Sequence, residues 1–96
     1  MMISSKSWKN LAKYKLQVST IFEKAFRKYD IPTKQKLDLA IRQLEVDPYE
    51  GKTLRGNLAG KWAIRSGNYR VLYMINEVEK IVVLCDTGHR KKAYDK

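Results

Sequence analysis

The sequence predicts an α+β fold in which a helical hairpin packs on one face of a mostly antiparallel sheet. Two observations carry this prediction. Apolar residues recur at helical spacing in the first half of the chain, and the spacing changes to strict alternation in the second half. The resulting order, β-α-α-β-β-β, is typical of two layers around one core. A chain of 96 residues forms one domain, which we place at residues 13–96, after a loosely ordered N-terminal arm at residues 1–12.

The first half begins with a short strand and a helix. The alternating segment Tyr14–Ser19 predicts the strand. Ser19 or Thr20 can cap the following helix, with Glu23 three residues after Thr20 as in a capping box. A stripe at helical spacing then gives this helix one apolar face, made of Phe22, Ala25, Phe26 and Tyr29.

A second helix follows a break in the pattern. Asp30 and Pro32 are typical of a helix stop and a turn. Thr33 is positioned to cap the next helix, which extends to about Val46, and Pro48 ends it. The apolar stripe of this helix consists of Leu37, Ala40, Ile41 and Leu44. The two stripes predict a hairpin with one shared apolar side.

Beyond the second helix, glycines punctuate a loop and three strand candidates follow. The loop reads "YEGKTLRGNLAGKW", and the strands read "KWAIR", "YRVLYMI" and "KIVVLCD". The short segments "SGN" and "NEVE" separate these strands and predict hairpin turns. If "SGNY" forms a four-residue turn, Arg65 stands opposite Arg70, whereas a turn one residue shorter reverses that relation.

The charge of the chain points to a polyanionic partner. Twenty Lys and Arg stand against ten Asp and Glu, which gives a formal net charge of +10. Self-repulsion at this level opposes compaction, so we expect nucleic acid as the partner, ahead of a membrane surface or an acidic protein. A basic surface kept only for solubility is the alternative.

The residue types and motifs that are missing exclude several classes of protein. Cys85 is the single cysteine, so no intrachain disulfide forms and a cytoplasmic location is expected. In its apolar run it is more typical of a small packed hydrophobe than of a reactive thiol. No apolar stretch is long enough to span a membrane. Without CxxC, HxxxH, a carboxylate cluster, a Walker loop, GxGxxG or GxSxG, we expect no metal and no cofactor.

In the register of a four-residue turn, three cations fall on one face of the predicted sheet. Lys61, Arg65 and Arg70 point one way, while Trp62 and Ile64 point toward the helices. Such cations can be the ordinary solvent-facing residues of a half-buried sheet. They can also form a phosphate platform, because arginine matches phosphate oxygens bidentately and lysine supplies a point charge.

The side chains available for chemistry suit metal-free RNA cleavage. In that reaction the ribose 2′-hydroxyl attacks the adjacent phosphate, so the protein need not supply a nucleophile. A base takes the 2′ proton, an acid protonates the leaving 5′ oxygen, and fixed cations hold the charge that develops on the phosphate. The segment "GHR", residues 88–90, leaves the last predicted strand and can reach the rim of the cation platform, with Gly88 allowing the chain to turn.

The run from Leu54 to Tyr94 resembles the RelE/ParE toxin superfamily. It contains the pattern L-x-G…W-x-I-R-x-G-x-Y-R-V-x-Y followed by GHR…Y, and the preceding strand and hairpin are similar to the family's first half. The resemblance implies a RelE-like fold related to microbial ribonucleases. It also implies a toxin that cuts messenger RNA in the ribosomal A site, and an acidic, RelB-like antitoxin that wraps the toxin in a hetero-oligomer.

The resemblance further implies roles for individual residues. Lys61 matches a lysine that serves as the base, and Arg65 matches a strand position that is arginine in many members. Arg70 matches the arginine that holds the scissile phosphate. Arg90 matches an arginine that stabilises charge or acts near the leaving group, and Tyr94 matches a tyrosine that stacks on, or hydrogen-bonds to, the substrate nucleotide.

Two positions leave alternatives open. Ala63 stands where the RelE branch has a second lysine, so cleavage is slower, or His89 and Arg65 share the missing role, or the enzyme is attenuated. His89 is either a proton donor, as in related toxins, or a structural residue at the end of the strand. Lys91 and Lys92 are expected to add non-specific attraction for RNA.

Two other functions are compatible with the sequence. A ParE-like member inhibits DNA gyrase without catalysis, but such members tend to lack the basic residues, histidine and tyrosine found here. An attenuated basic RNA-binding module is supported by the charge alone.

Overall fold

The computed structural model describes residues 13–54, 56 and 60–89. Within these ranges the chain forms a five-stranded sheet with two α-helices on one face. The strands are β1 (Lys15–Val18), β2 (Lys52–Thr53), β3 (Trp62–Ser66), β4 (Tyr69–Asn76) and β5 (Ile81–His89). The helices are α1 (Thr20–Arg27) and α2 (Ile31–Leu44), and a 3₁₀ turn spans Pro48–Glu50. The predicted α+β class is confirmed, and the predicted arm at residues 1–12 lies outside the described ranges.

The strand order across the sheet is β1-β5-β4-β3-β2. β1 runs parallel to β5, and the other neighbouring pairs are antiparallel. The helical hairpin carries the chain from β1 at one edge of the sheet to β2 at the other. Between β3 and β4 the turn places Gly67 at a φ of 64°, which a residue without a Cβ adopts at low cost. This tight turn sets Arg65 opposite Arg70, as predicted for a four-residue turn.

The helix caps differ in detail from the prediction. Ser19 is the N-cap of α1, with its hydroxyl accepting a hydrogen bond from the Phe22 amide at 3.1 Å. Asp30 is the N-cap of α2 and accepts from the Thr33 amide at 3.1 Å. The predicted Thr33 cap is therefore wrong, because Pro32 lies within the first turn of α2, where its missing N–H costs nothing.

The core lies between the helices and the sheet. Its fully buried side chains come from both layers, and Tyr73 at the centre of the sheet is 0% exposed. The other buried members are Tyr14, Phe22, Leu37, Ile41, Leu44, Val71, Val82 and Leu84. Trp62 and Ile64 pack against this cluster, which confirms that they face the helices.

An acidic anchor holds the far end of the β4–β5 hairpin. Glu77 accepts hydrogen bonds from the Tyr14 hydroxyl at 2.8 Å and the Tyr49 hydroxyl at 2.6 Å, and its other oxygen pairs with Lys80. The hydrogen bonds from Lys80, Tyr49 and Tyr14 hold the pKa of this carboxyl at about 2. Glu77 therefore ties the hairpin to the start of β1 and to the 3₁₀ turn.

No helix in the described part of the chain is long and apolar enough to cross a membrane.

Candidate nucleic-acid interface

The side of the sheet opposite the helices, which we call the basic face, is built by strand alternation. Residues directly opposite each other on neighbouring strands share a face. One row of this face pairs Arg65 with Arg70 and Arg70 with Gly88. Arg65 stands opposite Arg70, which is the arrangement that the sequence predicts for a four-residue turn.

A second row crosses the basic face two residues away. It runs from Lys52 through Ala63 and Leu72 to Asp86. Leu72 is only 7% exposed, so this face is not wholly open to solvent. Asp86 is half-buried and accepts a hydrogen bond from the Thr87 amide at 2.7 Å. The face therefore combines cations with an apolar centre and a carboxylate at the end of one row.

The arginine pair is exposed enough to meet a ligand. Arg65 is exposed and Arg70 is half-buried. Like charges placed directly opposite each other destabilise a sheet, whereas an anion lying between two guanidinium groups accepts charge-assisted hydrogen bonds from both. A phosphate that reaches this row can therefore accept hydrogen bonds from both guanidinium groups.

A shallow basin of about 330 Å³ lies beside this pair, and we call it the basin. Its cationic side chains are Lys52, Arg65 and Arg70, and Glu50 contributes one carboxylate. The other lining residues are Gly51, Thr53, Leu54, Ala63 and Ile64. Three cations against one carboxylate give the described wall of the basin a net positive charge, which favours an anionic ligand.

Tight packing beneath the basin fixes the position of β2. The buried Tyr73 hydroxyl donates to the Pro48 carbonyl at 2.5 Å, and burial raises the pKa of this phenol to about 12. A Cβ on Gly51 would stand 2.6 Å from the Ala63 carbonyl oxygen and closer still to the Tyr73 hydroxyl, so a larger residue does not fit there. The Leu54 amide then donates to the Lys61 carbonyl at 3.0 Å. These contacts hold the chain on both sides of Lys52.

Lys61 lies on the same side of the sheet but does not line the basin. It immediately precedes β3 and is half-buried. Its charge acts on Cys85, where it lowers the thiol pKa by less than burial raises it. Lys61 therefore lies close enough to Cys85 to act on it electrostatically. The raised pKa of Cys85 keeps its thiol protonated, as expected of an unreactive cysteine.

His89 lies on the helix side of the sheet, away from the arginine pair. It is the cross-strand partner of Tyr69, whereas Arg70 pairs with Gly88. The His89 and Tyr69 rings meet edge to face with centroids 5.4 Å apart, and Tyr69 contacts Tyr29 of the helix layer at 4.8 Å. The sequence left His89 as either a proton donor or a structural residue at the end of the strand, and this packing favours the structural residue.

A bulge explains why His89 faces the helices. The register shifts between Leu72 and Tyr73, which leaves Cys85 as an extra residue in β5. A bulge of this kind reverses the alternation beyond it. Gly88 lies within β5 and pairs with Arg70, so the expected turn at Gly88 is wrong and the last strand continues to His89.

Several sequence-predicted site residues fall outside the described residues. They are Arg90, Lys91, Lys92 and Tyr94. Lys52, in contrast, was not singled out by the sequence, because the two-residue strand β2 is too short to show a period and its segment was predicted to be a loop. The segment therefore carries no periodic signal that could have identified Lys52.

Comparison with known proteins gives concordant matches. A family model described as the ParE toxin of the type II toxin–antitoxin system, parDE, matches residues 6–94. Toxin RelG from Mycobacterium tuberculosis is 37% identical over 59 residues, which span 60% of this chain and 68% of that protein.

Solved structures extend these matches to the fold. The toxin–antitoxin complex RelBE2 from Mycobacterium tuberculosis matches with a TM-score of 0.75 and 29% identity, over 83% of this chain and 94% of that chain. The isolated E. coli RelE toxin matches with a TM-score of 0.70 and 20% identity, over 85% of this chain and 89% of that chain. The second match concerns the fold alone.

Proposed function

The chain belongs to the RelE/ParE superfamily of type II toxin–antitoxin toxins, and on this premise we propose that it is a metal-free endoribonuclease acting on ribosome-bound messenger RNA. The observation that carries the proposal is the Arg65–Arg70 pair beside a basin of net positive charge. The tight turn fixes the register of β3 and β4, so the two arginines leave the sheet side by side on one face, where one phosphate can reach both.

The proposed reaction is an intramolecular transfer within the RNA. The 2′ oxygen loses its proton to a base and forms a bond to the adjacent phosphorus. The bond from phosphorus to the 5′ oxygen breaks, and an acid protonates the leaving 5′ oxygen. The products are a 2′,3′-cyclic phosphate and a 5′-hydroxyl, and Arg65 and Arg70 bind the phosphate oxygens on which negative charge accumulates.

The proton-transfer roles are assigned by position. Lys61 is our choice for the base, because it lies on the basic face. It also matches the lysine that the sequence resemblance implies as the base. His89 is not assigned to proton transfer, because its ring packs on Tyr69 at the helix side. For Arg90 and Tyr94 we retain the roles implied by the sequence resemblance, leaving-group stabilisation and base stacking.

The chemistry is tested with messenger RNA on programmed ribosomes, carrying either ribose or 2′-deoxyribose at the cut position. We expect the ribose substrate to be cut and the deoxy substrate to remain intact, because the nucleophile is missing from it. Equal cutting of both substrates would show that the 2′-hydroxyl is not the nucleophile.

We also propose that an acidic antitoxin is the physiological partner and that the toxin acts in the cytoplasm, where ribosomes are. Structures of RelBE toxin–antitoxin complexes support a cognate antitoxin for this fold, and a chain of net charge +10 attracts an acidic segment. Co-purification with the product of the adjacent reading frame, and its release at raised salt, tests this proposal.

Gyrase inhibition is the second candidate, because the matching family model is that of the ParE toxin. The two candidates differ in what fails first in a cell. Induced expression followed by separate measurement of protein synthesis and plasmid supercoiling distinguishes them. Early arrest of synthesis with normal supercoiling supports the ribonuclease, and relaxed plasmid with continuing synthesis supports the gyrase inhibitor.

A further inference from the structure

Lys52 brings a cation to the part of the basic face where β3 has only a methyl group. Its Cα partner on β3 is Ala63, and both residues line the basin with Arg65 and Arg70. Cross-strand partners place their side chains on the same face. The Lys52 side chain therefore lies beside Ala63, on the face that carries the arginine pair.

The spacing allows Lys52 and the arginines to reach one ligand. Ala63 and Arg65 are two residues apart on β3, a separation of about 7 Å along the strand. Neighbouring strands are about 4.8 Å apart. A lysine has a flexible four-carbon stem, and the small Ala63 side chain leaves the space between Lys52 and the arginines unfilled, so the ammonium can turn over the basin.

The backbone around Lys52 is held in place, which distinguishes this lysine from an ordinary surface cation. The Tyr73 hydroxyl fixes the Pro48 carbonyl on one side, and the amide of Leu54 is bonded to Lys61 on the other. The absence of a Cβ at Gly51 lets this segment pack directly on β3. The position of Lys52 relative to Arg65 and Arg70 is thus set by buried contacts.

We propose that the basin is a phosphodiester subsite for RNA, in which Lys52 supplies the cation that position 63 lacks. The inference rests on the proposed ribonuclease function and adds a residue to its binding site. Lys52 acts as a point charge on phosphate and takes no part in proton transfer. Its contribution is therefore electrostatic and should appear in the salt dependence of RNA binding.

The test measures binding of a fluorescent single-stranded RNA with one 2′-deoxyribose at the cut position, by anisotropy at several salt concentrations. Removing one cation that binds a phosphate of a single strand should reduce the slope of log K against log salt by about 0.7. We expect this reduction for Lys52→Gln and wild-type behaviour for Lys52→Arg. Lys24→Gln, an equal charge loss on the exposed α1 helix, should leave the slope unchanged.

A rescue variant tests whether the basin itself is the site. Adding Ala63→Lys to Lys52→Gln places a lysine at the partner position of the same row, so we expect the wild-type slope to return. The midpoints of unfolding in urea show whether each variant is folded. If Lys52→Gln does not fold, Lys52→Arg, which keeps the positive charge, still allows RNA binding at this position to be measured. A Lys52→Gln slope equal to that of Lys24→Gln, in a wild-type protein that binds RNA, overturns the inference.

Failure of the proposed function gives a different result. If the wild-type protein binds RNA with the Lys52-dependent slope but cuts no messenger RNA on ribosomes, the subsite proposal stands and the ribonuclease proposal is wrong. If the wild-type protein neither binds nor cuts RNA, both proposals are wrong.

Discussion

The two faces of the sheet differ in what their side chains contact, although the same strands supply both. On the helix side, Val71, Tyr73 and Val82 are 0% exposed and form the centre of the core. On the basic face, Arg65 is exposed and lies beside Arg70 and the basin. Since successive residues of a strand point to opposite faces, β4 gives Tyr73 to the core and Arg70 to the candidate site. Stability and function should therefore respond to different substitutions in one strand.

The largest effect on stability should come from truncating a buried leucine of the helix side. Leu84→Ala removes a side chain that is 2% exposed and leaves a cavity, so we expect a loss of about 2–5 kcal/mol in the free energy of unfolding. Leu39→Ala is the matched control, because Leu39 is 66% exposed. Urea titration measures both, and equal losses would contradict the assignment of Leu84 to the core.

A smaller effect is expected from removing one buried hydroxyl beneath the basin. Tyr73→Phe deletes the hydrogen bond to the Pro48 carbonyl and should cost about 1–2 kcal/mol in stability, because a buried carbonyl loses its partner. The exposed Tyr49 bonds to Glu77, and Tyr49→Phe should cost less. Unfolding midpoints that rank the two variants in the opposite order would be inconsistent with this account.

His89 sharpens the comparison, because its neighbour Gly88 lies on the basic face. His89→Ala removes the edge-to-face contact with Tyr69, and we expect a stability loss of about 0.5–1.5 kcal/mol. Cleavage should stay close to wild type under conditions in which the variant is folded. A large fall in cleavage with an unchanged unfolding midpoint would return His89 to the catalytic set.

The smallest effect is a pH dependence at the far end of the sheet. The folded-state pKa of Glu77 is about 2, below the ordinary carboxyl value of 4.5. Its contribution to stability is therefore complete above pH 4.5 and is lost as the pH falls toward 2. Urea midpoints of wild type and Glu77→Gln should converge over this window and differ above it. Midpoints that stay parallel throughout would show that Glu77 contributes no such linkage.

The fold was accessible from the sequence because its signals are local. The helical stripes that include Leu37 and Ile41 and the tight turn at Gly67 each constrain neighbouring residues directly. These signals predicted the two-layer architecture, which the structure confirms. They also predicted the opposition of Arg65 and Arg70 for a four-residue turn, which is the turn observed.

The rest of the site depends on features with no local signal. A two-residue strand has no period, so the segment that contains Lys52 was predicted to be a loop. The bulge at Cys85 exchanges the faces of every later residue in β5, which moves His89 to the helix side. Both features follow from pairing with residues distant in the chain.

The most direct test of the separation between the two faces is Arg70→Ala, assayed for messenger RNA cleavage on programmed ribosomes and for unfolding in urea. We expect cleavage to fall by about 100-fold or more, as for loss of one charge-stabilising donor. The unfolding midpoint should stay close to that of wild type, because Arg70 is only half-buried and does not belong to the core cluster. Undiminished cleavage by the folded variant would contradict the account.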